Sequence, residues 1–447
     1  MAAANDSPLV VVTGASGYIA THVVKQLQEG GYRVRGTVRS LQDENKVKHL
    51  QDLCPDAAHK LELVEADLTK PESWEAAVKD AEFVIHVASP FPAQSPKDEN
   101  EVIQPAVDGT QSVLKACVST KTVKRVVLTS SCAAISWGPS ANADKVCTEE
   151  DWSDLEKLDA YAKSKTLAEK AAWDFVKELP DSDKIELAVV NPAYVMGPVL
   201  HGSQCTSMEV VKRLMERAMP VVPKLNFPVV DVRDVATAHI KAMVTPEAAG
   251  GRHICYAQNM WFKEMALILS NKFDSQGYNV PTMNCPYFAL WMTSLFDKTI
   301  KMILPNVNKV YKFDNTRMKD VLGITPRETK ETLTDMAYSM IEGGFIKKSK
   351  KYKGPNAGGD EEANKEDEKK EEEKEGDEEK PKENGEIKED KGDDDLKKED
   401  GEKEEENKEE EKKGDEIKEE EKTEEKKEEN TEEKKEEKTE EAPAENK

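Results

Sequence analysis

No stretch of this 447-residue chain reaches the roughly 18 consecutive apolar residues that a membrane span requires, so no transmembrane helix is expected. The start, Met1-Ala2-Ala3-Ala4-Asn5-Asp6-Ser7-Pro8, has neither a basic residue nor an apolar run, and nothing there reads as a secretory signal. Cysteine is scarce: seven residues, scattered, with no CxxC pair. That pattern argues against a disulfide framework or a zinc site and fits free thiols in a reducing cytoplasm; no metal is expected. Arginine is absent from Lys347 onward and aromatic residues from Lys353 onward. The segment from Lys347 to Lys447 holds 27 Lys against 45 Asp plus Glu, which is −18 of the chain's net −24. With almost nothing apolar it cannot bury a core, and 347–447 reads as a disordered tail. Its charge would attract cations such as Ca²⁺ weakly, or basic partners, and would repel nucleic-acid phosphates. The basic run Lys347–Lys353 reads as a solvated hinge rather than a nuclear signal.

What precedes the tail is ordinary: 38 basic and 44 acidic residues in a body long enough for one large domain or two lobes. Short apolar or β-branched runs at 9–13, 33–38, 61–65, 83–87, 125–129 and 186–190 read as strands. Helical spacing appears between them at 19–29, 43–53, 73–79, 102–119 and 159–177. Alternation of this kind predicts βαβ units and an α/β, Rossmann-type, doubly wound parallel sheet over roughly residues 1–190. From Met208 the pattern loosens and prolines multiply, which predicts a smaller mixed lobe over 191–346, part of it returning to the sheet.

The first strand leads into Thr13-Gly14-Ala15-Ser16-Gly17-Tyr18-Ile19-Ala20, with the spacing Gly14-x-x-Gly17-x-x-Ala20. Glycine permits the tight turn, and the following helix start offers free N–H groups and a positive dipole end to a diphosphate. In this strand–turn–helix setting the turn points to a dinucleotide, with Gly14, Ser16, Gly17, Tyr18 and Ile19 around the diphosphate. NAD enzymes usually place an acid at the end of the second strand, about 20 residues past the glycines. Here Val34-Arg35-Gly36-Thr37-Val38-Arg39-Ser40 has none. Arg39 can instead fork onto a 2′-phosphate, with Lys46 adding charge, so NADPH is the expected cofactor.

Tyr161 and Lys165 form a Tyr-x-x-x-Lys pair on one helix face. An ammonium beside a phenol lowers the phenol's pKa from about 10 and would let it exchange protons with a carbonyl oxygen. Lys165 would also reach the nicotinamide ribose, whereas Lys163 reads as solvated. A third member, a hydroxyl to hold the carbonyl, is expected at the end of the 125–129 strand: Ser131, with Ser130 as the fallback.

With these residues in view, the chain resembles an extended short-chain dehydrogenase/reductase. The branch is that of dihydroflavonol reductase, cinnamoyl-CoA reductase, anthocyanidin reductase and the fungal methylglyoxal and aldehyde reductases. The matching segments are Thr13–Ala20, Val38-Arg39-Ser40, Asp67-Leu68, Val87-Ala88-Ser89-Pro90, Thr129-Ser130-Ser131, Tyr161–Glu169, Asn191–Pro198 and Val230–Ile240. The resemblance covers about residues 8–346 and none of the tail. It implies that Asp67 and Leu68 flank the adenine. Val87, Ala88 and Ser89 would line the ribose and diphosphate, and Pro192 and Val195 the nicotinamide end. Phe91, Ile135, Tyr194 and Met208 are its substrate-pocket candidates. Lys157-Leu158-Asp159-Ala160 replaces the Asn-Trp-Tyr-Cys of plant cinnamoyl-CoA reductases, which argues against that substrate.

The expectation is therefore an NADPH-dependent reductase of a small-molecule aldehyde or ketone, in the cytoplasm, without nucleic-acid or membrane partners. The competing readings are a sugar-nucleotide epimerase or hydroxysteroid dehydrogenase of the same superfamily, and a non-catalytic protein acting through its acidic tail.

Overall fold

The computed structural model describes residues 7–90, 98–138, 145–200, 205–296 and 298–355. Its strands, in chain order, are β1 (Leu9–Thr13), β2 (Arg33–Val38), β3 (Glu62–Glu65), β4 (Phe83–His86), β5 (Arg125–Thr129), β6 (Val146–Cys147), β7 (Glu186–Pro192), β8 (Tyr194–Met196), β9 (Asn226–Asp231), β10 (Arg252–Cys255), β11 (Gln258–Trp261) and β12 (Lys312–Phe313). The helices are α1 (Tyr18–Glu29), α2 (Glu44–Gln51), α3 (Ser73–Val78), α4 (Asn100–Thr120), α5 (Ala160–Glu178), α6 (Thr206–Met215), α7 (Val232–Val244), α8 (Phe262–Phe273), α9 (Tyr287–Ser294), α10 (Lys298–Ile303), α11 (Thr316–Asp320) and α12 (Thr329–Glu342). The elements expected in the first half all form, with ends displaced by no more than two residues.

Seven strands make one sheet in the order β10-β7-β5-β4-β1-β2-β3, every adjacent pair parallel. A parallel sheet needs apolar residues on both faces because helices cover both. β1 and β5 are buried along their whole length. Val10 and Val12 pack with Val23 and Leu27 of α1 and Ala238 of α7. Val11, between them in sequence, points the other way and packs with Trp74, Val113 and Ala172 from α3, α4 and α5. The winding direction reverses between β1 and β4, which opens a crevice at their carboxyl ends, the place where such sheets bind ligands.

Beyond β7 lies the smaller mixed part. β9 pairs parallel with β8 and antiparallel with β11. Met208 and Leu214 of α6, Met265 and Leu269 of α8 and Met336 and Met340 of α12 fill its core. α7 and β10 return to the large sheet. The first helix fastens the second part: the Tyr18 hydroxyl donates to the Gly197 carbonyl at 2.8 Å, and His22 Nε2 lies 2.8 Å from the Pro198 carbonyl. All seven cysteines are free thiols. Among the described residues no helix is long and apolar enough to cross a membrane.

The break in composition at Lys347 does not coincide with a structural one. The Lys347 carbonyl accepts from the Tyr278 hydroxyl at 3.2 Å, and the Lys353 N–H donates to Gln276 Oε1 at 3.2 Å. Tyr352 packs against Tyr338, ring centroids 6.3 Å apart. Residues 347–355 therefore lie on the body, which corrects the solvated-hinge reading of Lys347–Lys353: one aromatic ring and a few backbone bonds outweigh the local charge. The remainder of the expected tail, 356–447, falls outside the described residues. A chain ending at Pro355 should unfold at higher temperature than one ending at Ile346, by the equivalent of about 1–2 kcal/mol. Calorimetry of the two truncations is the check, and equal midpoints would refute the anchoring role of Tyr352.

Candidate active site

The crevice begins at the turn after β1. Gly14 has φ +63, and a Cβ there would come within 3.1 Å of the Ala88 Cβ. Both facts demand glycine: the first excludes most side chains on conformational grounds, the second lets the Val87–Ala88 segment close over the turn. That segment is held by Thr13, whose Oγ1 accepts from the Ala88 N–H at 2.9 Å and lies 2.8 Å from His86 Nδ1. Gly17 caps α1 without any side-chain bond to the first N–H groups, so the helix start presents them together with its dipole. Ser16 and Ile19 are half-buried there, and the Tyr18 side chain is instead spent on Gly197.

Arg39 is exposed at the end of β2 and faces the Asp67 region. The Asp67 carboxyl is held below its ordinary range, first by the Thr69 backbone N–H and then by the Thr69 hydroxyl, Lys70 and Arg39. Leu68 packs beside Gly109 of α4, closely enough that a Cβ on Gly109 would meet it at 2.8 Å. Lys46 pairs with Asp43 at 3.2 Å, so its charge is partly engaged within its own helix start.

The second group gathers at the carboxyl end of β5. Asp159 caps α5 by accepting from the Ala162 N–H at 2.8 Å, and its other oxygen accepts from Trp137 Nε1 at 3.1 Å. Tyr161 follows in the first turn. Ser131 starts a short 3-10 turn (Cys132–Ala134), accepts from the Ala133 N–H at 3.1 Å and hydrogen-bonds the Tyr161 phenol. Lys165 is buried, and its Nζ donates to the Thr129 carbonyl at 3.4 Å. The structure thus brings Ser131, Tyr161 and Lys165 to one place. Ser130, by contrast, turns inward and donates to Glu169 at 2.6 Å. Lys163 pairs at the surface with Glu99 at 2.7 Å.

The electrostatics depart from expectation at one point. Burial pushes the Tyr161 phenol above its ordinary value; the Ser131 hydrogen bond pulls the other way but does not cancel it, and Asp159 adds to the rise. The phenol therefore stays neutral at neutral pH. Burial lowers Lys165 to about 8, with Glu169 opposing, so the ammonium remains mostly charged at neutral pH.

The nicotinamide-end and substrate-pocket candidates divide. Pro192 is buried at the end of β7, and Val195 is half-buried between the two main cores. Tyr194 is half-buried against Phe227, centroids 5.0 Å apart. Ile135 and Met208 are buried, 1% and 7% exposed, each within a hydrophobic cluster. Phe91 lies outside the described residues. One pair escaped sequence reasoning: Trp137, which packs in the same small cluster as Tyr161, stacks on Tyr311 at 5.0 Å. Nothing local in sequence links positions so far apart; Tyr311 stands just before β12, which pairs with β6, and packs in a cluster with Ile135 and Ile254.

The two serines should be separable by stability. Ser130→Ala leaves a buried Glu169 oxygen short of a donor and should cost about 1–3 kcal/mol. Ser131→Ala removes a half-exposed cap and should cost less than about 1 kcal/mol. Urea unfolding of both measures this; a larger loss for Ser131→Ala would reverse the assignment of roles.

Comparison with known proteins adds the following. Residues 10–255 match the family described as the NAD dependent epimerase/dehydratase family. A cinnamoyl-CoA reductase of Medicago truncatula is 38% identical over 62% of this chain and 84% of its own length. An anthocyanidin reductase of Vitis vinifera is 37% identical over 61% and 82% respectively. Among solved structures, yeast methylglyoxal/isovaleraldehyde reductase complexed with NADPH superposes with a TM-score of 0.62 at 32% identity, covering 75% of this chain and 99% of that one.

Proposed function

This chain belongs to the NAD-dependent epimerase/dehydratase family, and on that premise we propose that it reduces the carbonyl of a small aldehyde or ketone with a Ser131–Tyr161–Lys165 site. It is an NADP-dependent oxidoreductase of the extended short-chain dehydrogenase/reductase type, and its cofactor is NADPH. The observation that carries the proposal is the convergence of Ser131, Tyr161 and Lys165 at the end of β5, beside the crevice that β1 and β4 open.

The crevice suits that cofactor. A Cβ-free turn at Gly14, an uncapped α1 start, an exposed Arg39 and no acid at the end of β2 fit a 2′-phosphorylated dinucleotide. Gly14, Ser16, Gly17 and Ile19 would border the diphosphate, Arg39 the 2′-phosphate, Asp67 and Leu68 the adenine, and Val87, Ala88, Ser89, Pro192 and Val195 the path to the nicotinamide. Bound NADPH supplies the hydride. Ser131 orients the carbonyl oxygen. Tyr161, held protonated by burial, gives its proton to that oxygen as negative charge develops on it. Lys165 keeps a positive charge beside the phenol as it loses the proton. The 191–346 part would supply the substrate wall, with its Tyr311 stacked on Trp137 as an aromatic edge.

The epimerase reading is the weaker one, because Arg39 and the Asn191–Pro198 segment favour the reductase branch. Seven free thiols suit a cytoplasmic setting. The charge of the acidic tail supports an accessory role, attracting cations or basic partners.

Two measurements test the proposal. Tyr161→Phe should lower NADPH oxidation with an aldehyde panel by about 10²-fold or more; equal rates would remove the mechanism. Arg39→Asp should weaken NADPH binding in a fluorescence titration by about tenfold or more, from the loss of a charge-assisted contact worth roughly 1.5–3 kcal/mol. An unchanged affinity would remove Arg39 from the site.

A further inference from the structure

Glu169 lies on α5 one turn beyond Lys165 and two turns beyond Tyr161. It is fully buried. One carboxylate oxygen accepts from the Arg252 Nε at 2.6 Å and from Trp173 Nε1 at 3.3 Å. The other accepts from the Ser130 hydroxyl at 2.6 Å, from Asn191 Nδ2 at 2.9 Å and from Arg252 at 3.3 Å. Apart from Trp173 on α5 itself, these donors come from the residue after β5 and from the neighbouring strands β7 and β10. Asn191 also donates to the carbonyl of Ser131 at 3.3 Å. Arg252 is fixed on its far side by the carbonyls of Glu149, at 2.8 Å, and Asp151, at 2.5 Å, with its guanidinium 3.8 Å from the Trp152 ring.

A structural ion pair accounts for part of this. It does not account for where the pair stands. Arg252 pairs with this carboxylate at 2.6 Å, and Lys165, a second buried cation, stands one helical turn away on α5; a buried cation without a counter-charge is strongly unfavourable. The titratable neighbours acting on Lys165 are Glu169 on its own helix and His86 on β4. Burial first, and then Lys165, hold His86 down to about 3, so it is neutral and adds no charge near neutral pH. Tyr161, one turn earlier, is neutral as well. From β5 only the Thr129 carbonyl touches the ammonium.

We propose that Glu169 is a positioning residue for the reductase site, tying the ends of β5 and β7 to α5 while its negative charge faces the Lys165 ammonium. This rests on the function proposed above. The Ser131 end of β5 cannot drift from Tyr161 without breaking the Ser130 or Asn191 bond. The Glu169 charge opposes the burial that favours the neutral form of Lys165.

The test uses the full chain as wild type, Glu169→Gln, and Glu169→Gln/Arg252→Met. The double variant removes the donor facing the new amide and the cation left unpaired, so it should recover most of the thermal stability that the single variant loses. Two readouts are taken on each protein. One is the titration midpoint of Lys165, followed by NMR of carbon-13-labelled lysine and assigned with Lys165→Arg. The other is the pH dependence of kcat/KM for NADPH oxidation with an aldehyde. The midpoint should fall by about one unit or more in Glu169→Gln, and stay below wild type in the double variant. The alkaline limb of kcat/KM should move down with it. A merely structural role predicts instead that the double variant returns both stability and the Lys165 midpoint to wild type, and that result overturns the proposal. So does an unchanged midpoint in a folded Glu169→Gln protein. Because the midpoint needs no turnover, a wild type that oxidised no NADPH would remove the reductase reading while the titration still decided the role of Glu169.

Discussion

Three consecutive residues at the end of β5 each look to a different partner. Thr129 gives its carbonyl to Lys165 and its hydroxyl to His239, Ser130 bonds Glu169, and Ser131 bonds Tyr161. Alternate residues of a strand point to opposite faces, so such a tip can reach both α5 and α7. The rest of the site depends on this anchoring. Tyr161 and Lys165 on α5 and Ser131 after β5 come from elements apart in sequence, and in the proposed mechanism a displacement of about an ångström between them would cost orders of magnitude in rate.

The same crevice solves a second problem, the approach of a charged cofactor to an apolar sheet. Buried valines on both faces of β1 keep the strand rigid, and the turn beyond it exposes backbone N–H groups where no side chain intrudes. Thr13 supports this from below by holding Ala88 against Gly14. Rigid strands and a bare turn thus place the phosphate end, and the β5 tip places the reacting end, on one side of one sheet.

Much of this was legible in the sequence because it is local. Strand runs, helix periods and the glycine spacing are written within windows of a dozen residues, and they located the sheet, the turn and the Tyr161–Lys165 face. Ser131 could be separated from Ser130 only in three dimensions, since the choice rests on which hydroxyl Glu169 captures. The direction of the Tyr161 shift was misjudged for the same reason: adjacency to a lysine can be read from spacing, but the desolvation that outweighs it cannot. Arg252 and Tyr311 carried no local signal, since they reach the site only in three dimensions; Glu169 lies within the Tyr161–Glu169 segment, but its partners come from elements far away in sequence. Ile135 and Met208 are buried, and apolar side chains read alike from sequence in a core or in a pocket wall. The run Lys347–Lys353 read as a solvated hinge because its charge is visible in sequence, whereas the packing of Tyr352 on Tyr338 is not.

The central claim is that this crevice delivers hydride from NADPH to a carbonyl carbon. Its most direct test is a turnover with NADPH carrying deuterium at each of the two C4 positions in turn, with an aldehyde as acceptor. The account predicts that one of the two labelled forms, and not the other, places deuterium on the carbinol carbon of the alcohol product, in amounts equal to the NADPH oxidised. NADPH oxidation that leaves no deuterium in the alcohol from either form would contradict it.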